Sequence, residues 1–265
     1  SAFNYLRMKF HLVPMRFGVH QPGADWLTAL TVVLVMTHLG TEALGGPETV
    51  ETKGFYGVLG LSLPGVMEGK VWQLFTYSFL HGSLVHLIIN VGVIYAIGGR
   101  INRILGSRRT MCIYLGGVVG GGLLHILLFP ANPLGPGMIP SYLPLVGSSG
   151  GMMALLIALV SLSPDSRMWP LMISGKNLGR GVMLSALILF LFTPGLGLPG
   201  LSEAGKLVAR DGDLGVSLFL ISHPCHLGGG LVGFLFARRL LGKPVSLEEL
   251  QQARKKREEE NRLRN

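Results

Sequence analysis

Six stretches of this chain are almost continuously apolar, and polar or glycine- and proline-containing segments separate them. They cover approximately residues 26–44, 73–98, 110–129, 147–163, 180–198 and 217–240. A helix needs about 20 apolar residues to cross about 30 Å of hydrocarbon, and each stretch comes near that length. The pattern therefore predicts an all-α, polytopic membrane protein with six transmembrane helices. Because the fourth stretch is the shortest, we expect its helix to begin below the membrane surface.

The segments outside the spans define the expected domain organisation. Residues 1–25 are expected to form a cytoplasmic or interfacial N-terminal segment, 26–240 the membrane domain, and 241–265 a charged cytoplasmic helix. Two long loops, 45–72 and 199–216, are expected on the non-cytoplasmic side. The second loop contains several glycines and acidic residues, which is typical of a mobile cap.

Composition and charge placement agree with a membrane protein and set its orientation. Only 14% of the residues are charged, whereas soluble domains carry about 25% charged residues. All lysines and arginines lie on one side of the predicted spans except Lys53, Lys70, Lys206 and Arg210, which places both termini in the cytoplasm. Spans 4 and 6 then begin on the non-cytoplasmic side, and side chains at their starts would face that side. The net charge of +9 follows from this topology, so we expect membrane lipids rather than nucleic acid as its partner.

A serine and a histidine lie at the starts of two predicted membrane spans, where burying a polar or ionisable side chain costs free energy. Ser149 lies in the run Gly-Ser-Ser-Gly-Gly at 147–151, at the start of the fourth span, and His226 begins the sixth. Ionisable side chains at membrane depth indicate function. Taken alone, Gly-Ser-Ser-Gly is also ordinary helix-capping sequence, and it lacks the preceding strand that a nucleophile elbow requires. The Gly-Ser-Ser-Gly sequence alone therefore does not indicate a function, and the residues expected to lie next to it decide the interpretation.

Small residues predict that the fourth and sixth spans touch. The stripes are Gly150, Ala154 and Ala158 in one span and Gly229, Gly233 and Ala237 in the other. Such stripes let helices approach closely, which would bring Ser149 and His226 within hydrogen-bond reach, as activation of a hydroxyl requires. Glu42 is the only acidic residue in the six spans. A Ser–His dyad is therefore favoured over a triad.

Two further side chains in the second span could stabilise an oxyanion. Ser83, His86 and Asn90 share one helical face at spacings of three and four residues. Together with the backbone N–H of Ser149 at a helix N-terminus, His86 and Asn90 could donate hydrogen bonds to developing negative charge.

A metal site is the alternative interpretation of the histidines in the sixth span. His223 and His226 flank Pro224 and Cys225, but no further cysteine or acidic cluster completes a ligand set. We therefore expect no metal and no cofactor.

Five sequence pieces, in order along a six-span chain, carry a family resemblance. They are Trp72 through His81, His86 with Asn90, Gly98-Gly99 with Leu105-Gly106-Ser107, Gly147 through Gly150, and His226 through Gly229. Over most of residues 26–240 the chain resembles the rhomboid family of intramembrane serine proteases. The resemblance implies a rhomboid-like six-helix bundle.

The resemblance also implies a role for each matching residue. Ser149 would be the nucleophile and His226 its general base, while the Ser149 N–H, His86 and Asn90 would form the oxyanion site. The supporting residues would be Gly147, Gly150, Met153 and Gly229. The family cuts transmembrane or membrane-proximal segments of other proteins without metal or cofactor, so transmembrane proteins are the expected substrates.

Three positions depart from the family's pattern. Gln73 stands where the family commonly has arginine after the loop tryptophan, and Asn102 stands where it commonly has glutamate. We interpret these as an ion pair exchanged for a neutral amide pair, and we expect the two side chains to be hydrogen-bonded. Met153 replaces an aromatic residue that stacks on the catalytic histidine, and its sulfur can still contact the ring.

Two other classes of function remain open. A non-catalytic rhomboid-like binder of membrane proteins would use the same fold, but such relatives lack the serine or the histidine, and this chain has both. A transporter would be expected to show repeated halves or charged residues at a midplane site, and the sequence shows neither. Hydrolysis of membrane proteins is the favoured hypothesis.

Overall fold

The structure, a computed structural model, describes residues 25–46, 50–129, 133–134, 144–168, 172–210 and 212–241. The predictions for the N-terminal segment before Asp25 and for the charged helix after Leu241 lie outside the described residues.

The described residues form eleven helices. In chain order they are α1 (Trp26–Ala43), α2 (Val50–Leu59), α3 (Leu63–Met67), α4 (Gln73–Thr76), α5 (Leu84–Leu105), α6 (Ser107–Leu128), α7 (Ser149–Leu162), α8 (Gly175–Leu191), α9 (Leu201–Ala209), α10 (Gly212–Leu220) and α11 (His223–Leu241). Two 3-10 turns, Tyr77–Phe79 and Pro194–Leu196, lie between them, and β1 (Arg167–Met168) pairs antiparallel with β2 (Ile173–Ser174).

Three of these helices, α1, α5 and α6, are long and apolar enough to cross a membrane. The other three predicted spans overlap α7, α8 and α11, of 14, 17 and 19 residues. The fifth span lies earlier in the chain than predicted, since α8 begins at Gly175 and ends at Leu191 rather than covering 180–198. The prediction of an all-α membrane fold is confirmed. At about 1.5 Å per residue, α7 is about 21 Å long, which is shorter than the hydrocarbon layer.

The core is built around α7, on which α5, α6, α8 and α11 all pack. The contact between α7 and α11 is the most extensive between any two described elements. Gly229 faces the carbonyl oxygen of Gly150, and Gly233 faces that of Ala154, so closely that a Cβ on either glycine would overlap the oxygen. The predicted contact between the two small-residue stripes is confirmed.

The second span begins later than predicted, at Leu84 rather than near residue 73. Ser83 has extended backbone, and its hydroxyl accepts a hydrogen bond from the His86 N–H at 3.2 Å, so it caps α5 instead of lying within it. The apolar residues before it form α4 and the 3-10 turn that follows. The prediction treated these residues and α5 as one span because all of them are apolar. The Ser83 cap shows that a new helix begins after them.

The segment 199–216 also differs from the expected loop, because α9 and the start of α10 occupy it. The sixth span then begins at His223 rather than at residue 217. Ser222 supplies the break, since its hydroxyl accepts from the Cys225 N–H at 3.2 Å. Pro224 fits the first turn that follows, where its missing N–H is not needed.

The expected hydrogen bond between Gln73 and Asn102 is wrong. The completely buried Gln73 amide is bonded to the backbone of residues 57–62, and it donates from Nε2 to the Gly57 carbonyl at 3.0 Å. Asn102 lies near the other end of α5, about 27 Å along the helix from Leu84. Its Oδ1 is buried without a hydrogen-bond partner among the described residues.

Candidate active site

The chain entering α7 is held by hydrogen bonds to the segment that precedes α5. Leu61 and Leu145 exchange two backbone hydrogen bonds, of 3.0 and 2.8 Å. Two residues further on, the Gly147 N–H donates to the Tyr77 carbonyl at 3.0 Å, and Gly147 has a φ of 113°. Glycine is required by this left-handed conformation. These contacts fix the approach to the first turn of α7.

Ser149 is the first residue of α7 and is buried, with 8% of its surface exposed. The first helical hydrogen bond runs from the Met152 N–H to the Ser148 carbonyl. The N–H groups of the preceding residues therefore have no partner within the helix, as at every helix N-terminus. Such N–H groups, with the helix dipole, favour an anion at this point.

The neighbouring serine has a different environment. Ser148 Oγ lies 3.3 Å from His81 Nε2, and both residues are completely buried. A hydroxyl that is enclosed and paired in this way cannot meet a substrate. Of the two adjacent serines, Ser149 is the more exposed, at 8% against 0% for Ser148.

The thiol of Cys225 lies beside the start of α7. A Cβ on Gly150 would lie 3.1 Å from both Cys225 Sγ and the Tyr77 hydroxyl. The Ser149 hydroxyl also interacts with this thiol. Tyr77 is anchored by donating to the Val118 carbonyl at 2.7 Å. Because Cys225 directly precedes His226, Ser149 lies next to the first turn that carries the candidate base.

The first turn of α11 positions His226. Its N–H donates to the Ser222 carbonyl at 3.3 Å, and one turn later Gly229 meets the Gly150 backbone. His223, the other member of the possible metal clip, has its Nε2 2.8 Å from the Leu218 carbonyl oxygen. The centroids of the two imidazole rings are 6.3 Å apart.

His86 lies against the chain just before Ser149. A Cβ on Gly147 would lie 2.6 Å from Cε1 and 2.7 Å from Nε2 of the His86 ring, so only glycine leaves room for the imidazole. The ring also packs edge-on against His81, with centroids 5.1 Å apart. Asn90 is buried one turn along α5, where its Nδ2 donates to the His86 carbonyl at 2.8 Å. Its Oδ1 has no hydrogen-bond partner among the described residues.

An open cavity of about 460 Å³ lies beside His226 and extends along α8. Met153 lines it together with His226, while α8 contributes Ala186 and Leu189 among others. Among the described residues the lining is mostly apolar, and its only ionisable side chains are those of His223 and His226. Met153 and His226 therefore border one space.

Sequence reasoning missed several residues that hold this region together. His81, Tyr77 and Cys225 contact the start of α7 through pairs separated by 67 or more residues. No helical or strand period connects such positions. The only available signal was that polar or aromatic side chains in an apolar chain need buried partners.

The Rhomboid domain family model matches residues 68–243, which include every candidate site residue. The chain belongs to the rhomboid family. Together with its apolar helices, this makes it an integral membrane protein.

Three curated proteins illustrate the similarity. Rhomboid protease GluP of Bacillus subtilis is 25% identical over 86% of this chain and 37% of its own length. Presenilin-associated rhomboid-like protein A, mitochondrial, of Danio rerio is 27% identical over 59% of this chain and 34% of its own. Rhomboid-related protein 3 of Homo sapiens is 32% identical over 35% and 20%. The chain thus spans about a third of the length of the first two relatives.

Proposed function

We propose that this rhomboid-family chain is an intramembrane serine endopeptidase that hydrolyses peptide bonds within or next to transmembrane segments of other membrane proteins. Ser149 is the nucleophile and His226 the general base. The proposal places the active site on the non-cytoplasmic side, with both termini in the cytoplasm, because the basic residues favour that orientation.

One observation carries the assignment: the second turn of α11 is in backbone contact with the first turn of α7. Gly229 meets the Gly150 carbonyl, and the Ser149 hydroxyl interacts with the thiol of the residue before His226. Nucleophilic catalysis needs a hydroxyl and an imidazole within hydrogen-bond reach. The close Gly150–Gly229 crossing supports such an arrangement of Ser149 and His226, since a side chain at either glycine would push the helices apart.

The reaction follows from these groups. Ser149 Oγ bonds to the scissile carbonyl carbon as its proton passes to His226. The tetrahedral intermediate collapses when His226 gives that proton to the departing amine. Water then attacks the acyl-enzyme as His226 takes its proton. His226 gives that proton to Ser149 Oγ as the C–O bond breaks, which releases the carboxylic acid and regenerates both the hydroxyl and the neutral base.

The oxyanion is held by the Ser149 N–H, His86 and Asn90. The position of the Ser149 N–H in the first turn of α7 and the packing of His86 on Gly147 support this role. Asn90 already uses one Nδ2 proton on the His86 carbonyl, so only its second Nδ2 proton is available for the oxyanion.

The apolar cavity beside His226 supports an uncharged segment as substrate. A charged side chain of a substrate would lose its water against this lining and would find no charged partner there. Transmembrane segments are uncharged over most of their length, so they fit the lining. Contact with lipids is expected along the exposed apolar sides of the helices.

The test is covalent labelling with a fluorophosphonate, combined with cleavage of a transmembrane substrate in bilayers. Wild-type protein should be labelled at Ser149 and should cleave. Ser149→Ala and His226→Ala should each lose cleavage, and the double variant should be little worse than either alone because the two residues act as one unit.

Ser148→Ala is the matched control, since it removes the adjacent hydroxyl and should keep labelling at Ser149. Substantial cleavage by Ser149→Ala would contradict the assignment. Retained substrate binding with neither labelling nor cleavage in the wild type would point to a non-catalytic binder.

A further inference from the structure

His125 in α6 is tied to the residue that caps α11. His125 Nδ1 lies 2.8 Å from Ser222 Oγ, across 97 positions of sequence. The His125 ring also stacks on Phe129, with centroids 5.0 Å apart and an interplanar angle of 28°. The imidazole is therefore fixed on one side by a ring and on the other by a hydroxyl.

Ser222 in turn holds the first turn of α11. Its Oγ accepts from the Cys225 N–H at 3.2 Å, and its carbonyl accepts from the His226 N–H at 3.3 Å. The residue is 5% exposed, so little water reaches this cap. Only Ile221 and Ser222 separate α10 from α11. The Ser222 cap therefore also sets the point at which α10 ends and α11 begins.

We propose that His125 is a positioning residue that acts through Ser222 to fix His226. The inference rests on the proposed function of His226 as the base. His125 touches no reacting atom in this scheme. Its contribution is to hold the Ser222 hydroxyl in the one rotamer that caps α11.

The physical reason lies in the freedom of a serine hydroxyl. An unheld Ser side chain samples three rotamers, and only one of them reaches the Cys225 N–H. The bond to His125 selects that rotamer. With the Ser222 O–H as donor to Nδ1, it also polarises the hydroxyl, since bonds in a chain strengthen each other. Without it, the first turn of α11 would open more often, as helix ends do. His226 lies in that turn, and a displacement of about 1 Å can cost about 100-fold in rate.

The test uses two substitutions at His125 with different chemistry. His125→Leu keeps bulk but loses the hydrogen bond, whereas His125→Asn places an amide near the position of Nδ1. We expect His125→Leu to lower kcat about tenfold or more with KM within about twofold. His125→Asn should recover most of the loss, and Ser222→Ala should resemble His125→Leu.

Thr110→Ala is the matched control. Thr110 is also a buried polar residue of α6, but its hydroxyl donates to the Gly106 carbonyl at the other end of the helix. It should lose stability without the selective fall in kcat. Equal losses of kcat in Thr110→Ala and His125→Leu at equal stability would overturn the inference.

Hydrogen exchange separates this inference from the proposed function, because it needs no activity. In His125→Leu, the amide of Cys225 should exchange about tenfold faster or more, while amides in the middle of α6 remain unchanged. Unchanged exchange at Cys225 would overturn the role of His125 even if the protein is a protease. Faster exchange at Cys225 in a chain that never cleaves would support the cap and reject the protease.

Discussion

Ser148 Oγ and His81 Nε2 lie 3.3 Å apart in a completely buried pair, one residue before Ser149. The two adjacent serines at the start of α7 therefore have different surroundings. The Ser148–His81 pair is enclosed and anchors the loop, whereas the Ser149 hydroxyl lies beside the first turn of α11. Their burial and their contacts distinguish Ser148 from Ser149, whereas their adjacent positions in the sequence do not.

Ser148→Ala should destabilise the protein without removing the nucleophile. His81 Nδ1 already has no hydrogen-bond partner among the described residues, so the substitution would leave both ring nitrogens unpaired. A buried group left in this way costs about 1–3 kcal/mol. Thermal unfolding should show the loss, while fluorophosphonate labelling at Ser149 persists.

The double variant His81→Leu with Ser148→Ala tests whether the pair is the cause. Removing both polar partners leaves neither one stranded, so its cost should be smaller than the sum of the two single costs. Strictly additive losses would show that the two side chains do not stabilise each other.

Gly229→Ala should weaken the crossing of α7 and α11. The added methyl would overlap the Gly150 carbonyl oxygen, so the helices would have to separate. We expect a cost of about 1–3 kcal/mol, as for other overpacked sites, together with a large loss of cleavage. Unfolding curves and substrate cleavage would measure the two effects.

Gly92→Ala is the control for that substitution. Gly92 also lies within a helix, but a Cβ there would meet nothing within 4 Å. Replacing it should leave cleavage unchanged and raise stability by at most about 1 kcal/mol. Equal damage from both substitutions would mean that the tight crossing is not the cause.

Much of the fold could be predicted because its main signals are periodic or local. Apolar length predicted the helices, and small residues at spacing four predicted that the fourth and sixth spans touch; the structure then pairs Gly150 with Gly229 and Ala154 with Gly233. The spacing is a property of the α-helix itself. Helix starts were less accurate, because caps such as Ser83 and Ser222 are single residues inside longer apolar runs.

The contacts of Gln73 could not be predicted from the sequence. Its amide bonds to backbone groups of Gly57, Val58 and Ser62. Any residue can supply a backbone N–H or carbonyl, so these partners leave no mark in the sequence. Pairing Gln73 with Asn102 relied on two side-chain departures, but the Gln73 amide bonds to backbone groups instead, and Asn102 Oδ1 has no partner among the described residues.

Gln73→Ala should therefore act independently of Asn102→Ala. The first substitution leaves the Ser62 N–H and the Gly57 carbonyl without their amide partner, at a cost of about 1–3 kcal/mol. Distant sites add within about 0.5 kcal/mol, so the double variant should lose the sum. Chemical denaturation of the wild type, the two single variants and the double variant would measure these losses of stability. A coupling free energy above about 1 kcal/mol would restore the hypothesis that Gln73 and Asn102 are paired.

His86→Ala should lower kcat more than Asn90→Ala does. Removal of one oxyanion donor typically costs about 10²–10³ in rate, and the His86 ring lies directly against the loop before Ser149. Asn90 already donates to the His86 carbonyl, so part of its loss should be structural. Steady-state kinetics would separate kcat from KM. A change confined to KM in both variants would argue against oxyanion stabilisation.

Ala186→Phe should block the cavity beside His226. Ala186 is 6% exposed and lines this space, so a benzyl group there has no room except the cavity itself. Leu187→Phe is the matched control, because Leu187 is 42% exposed and is not part of the lining. Ala186→Phe should reduce cleavage of a transmembrane substrate strongly while a small fluorophosphonate still labels Ser149, and Leu187→Phe should change neither. The difference between the two probes follows from size, since the small probe needs only the nucleophile and its base. If Ala186→Phe cleaves as fast as the control, the substrate does not use this cavity, and its path to Ser149 must lie on another side of α7.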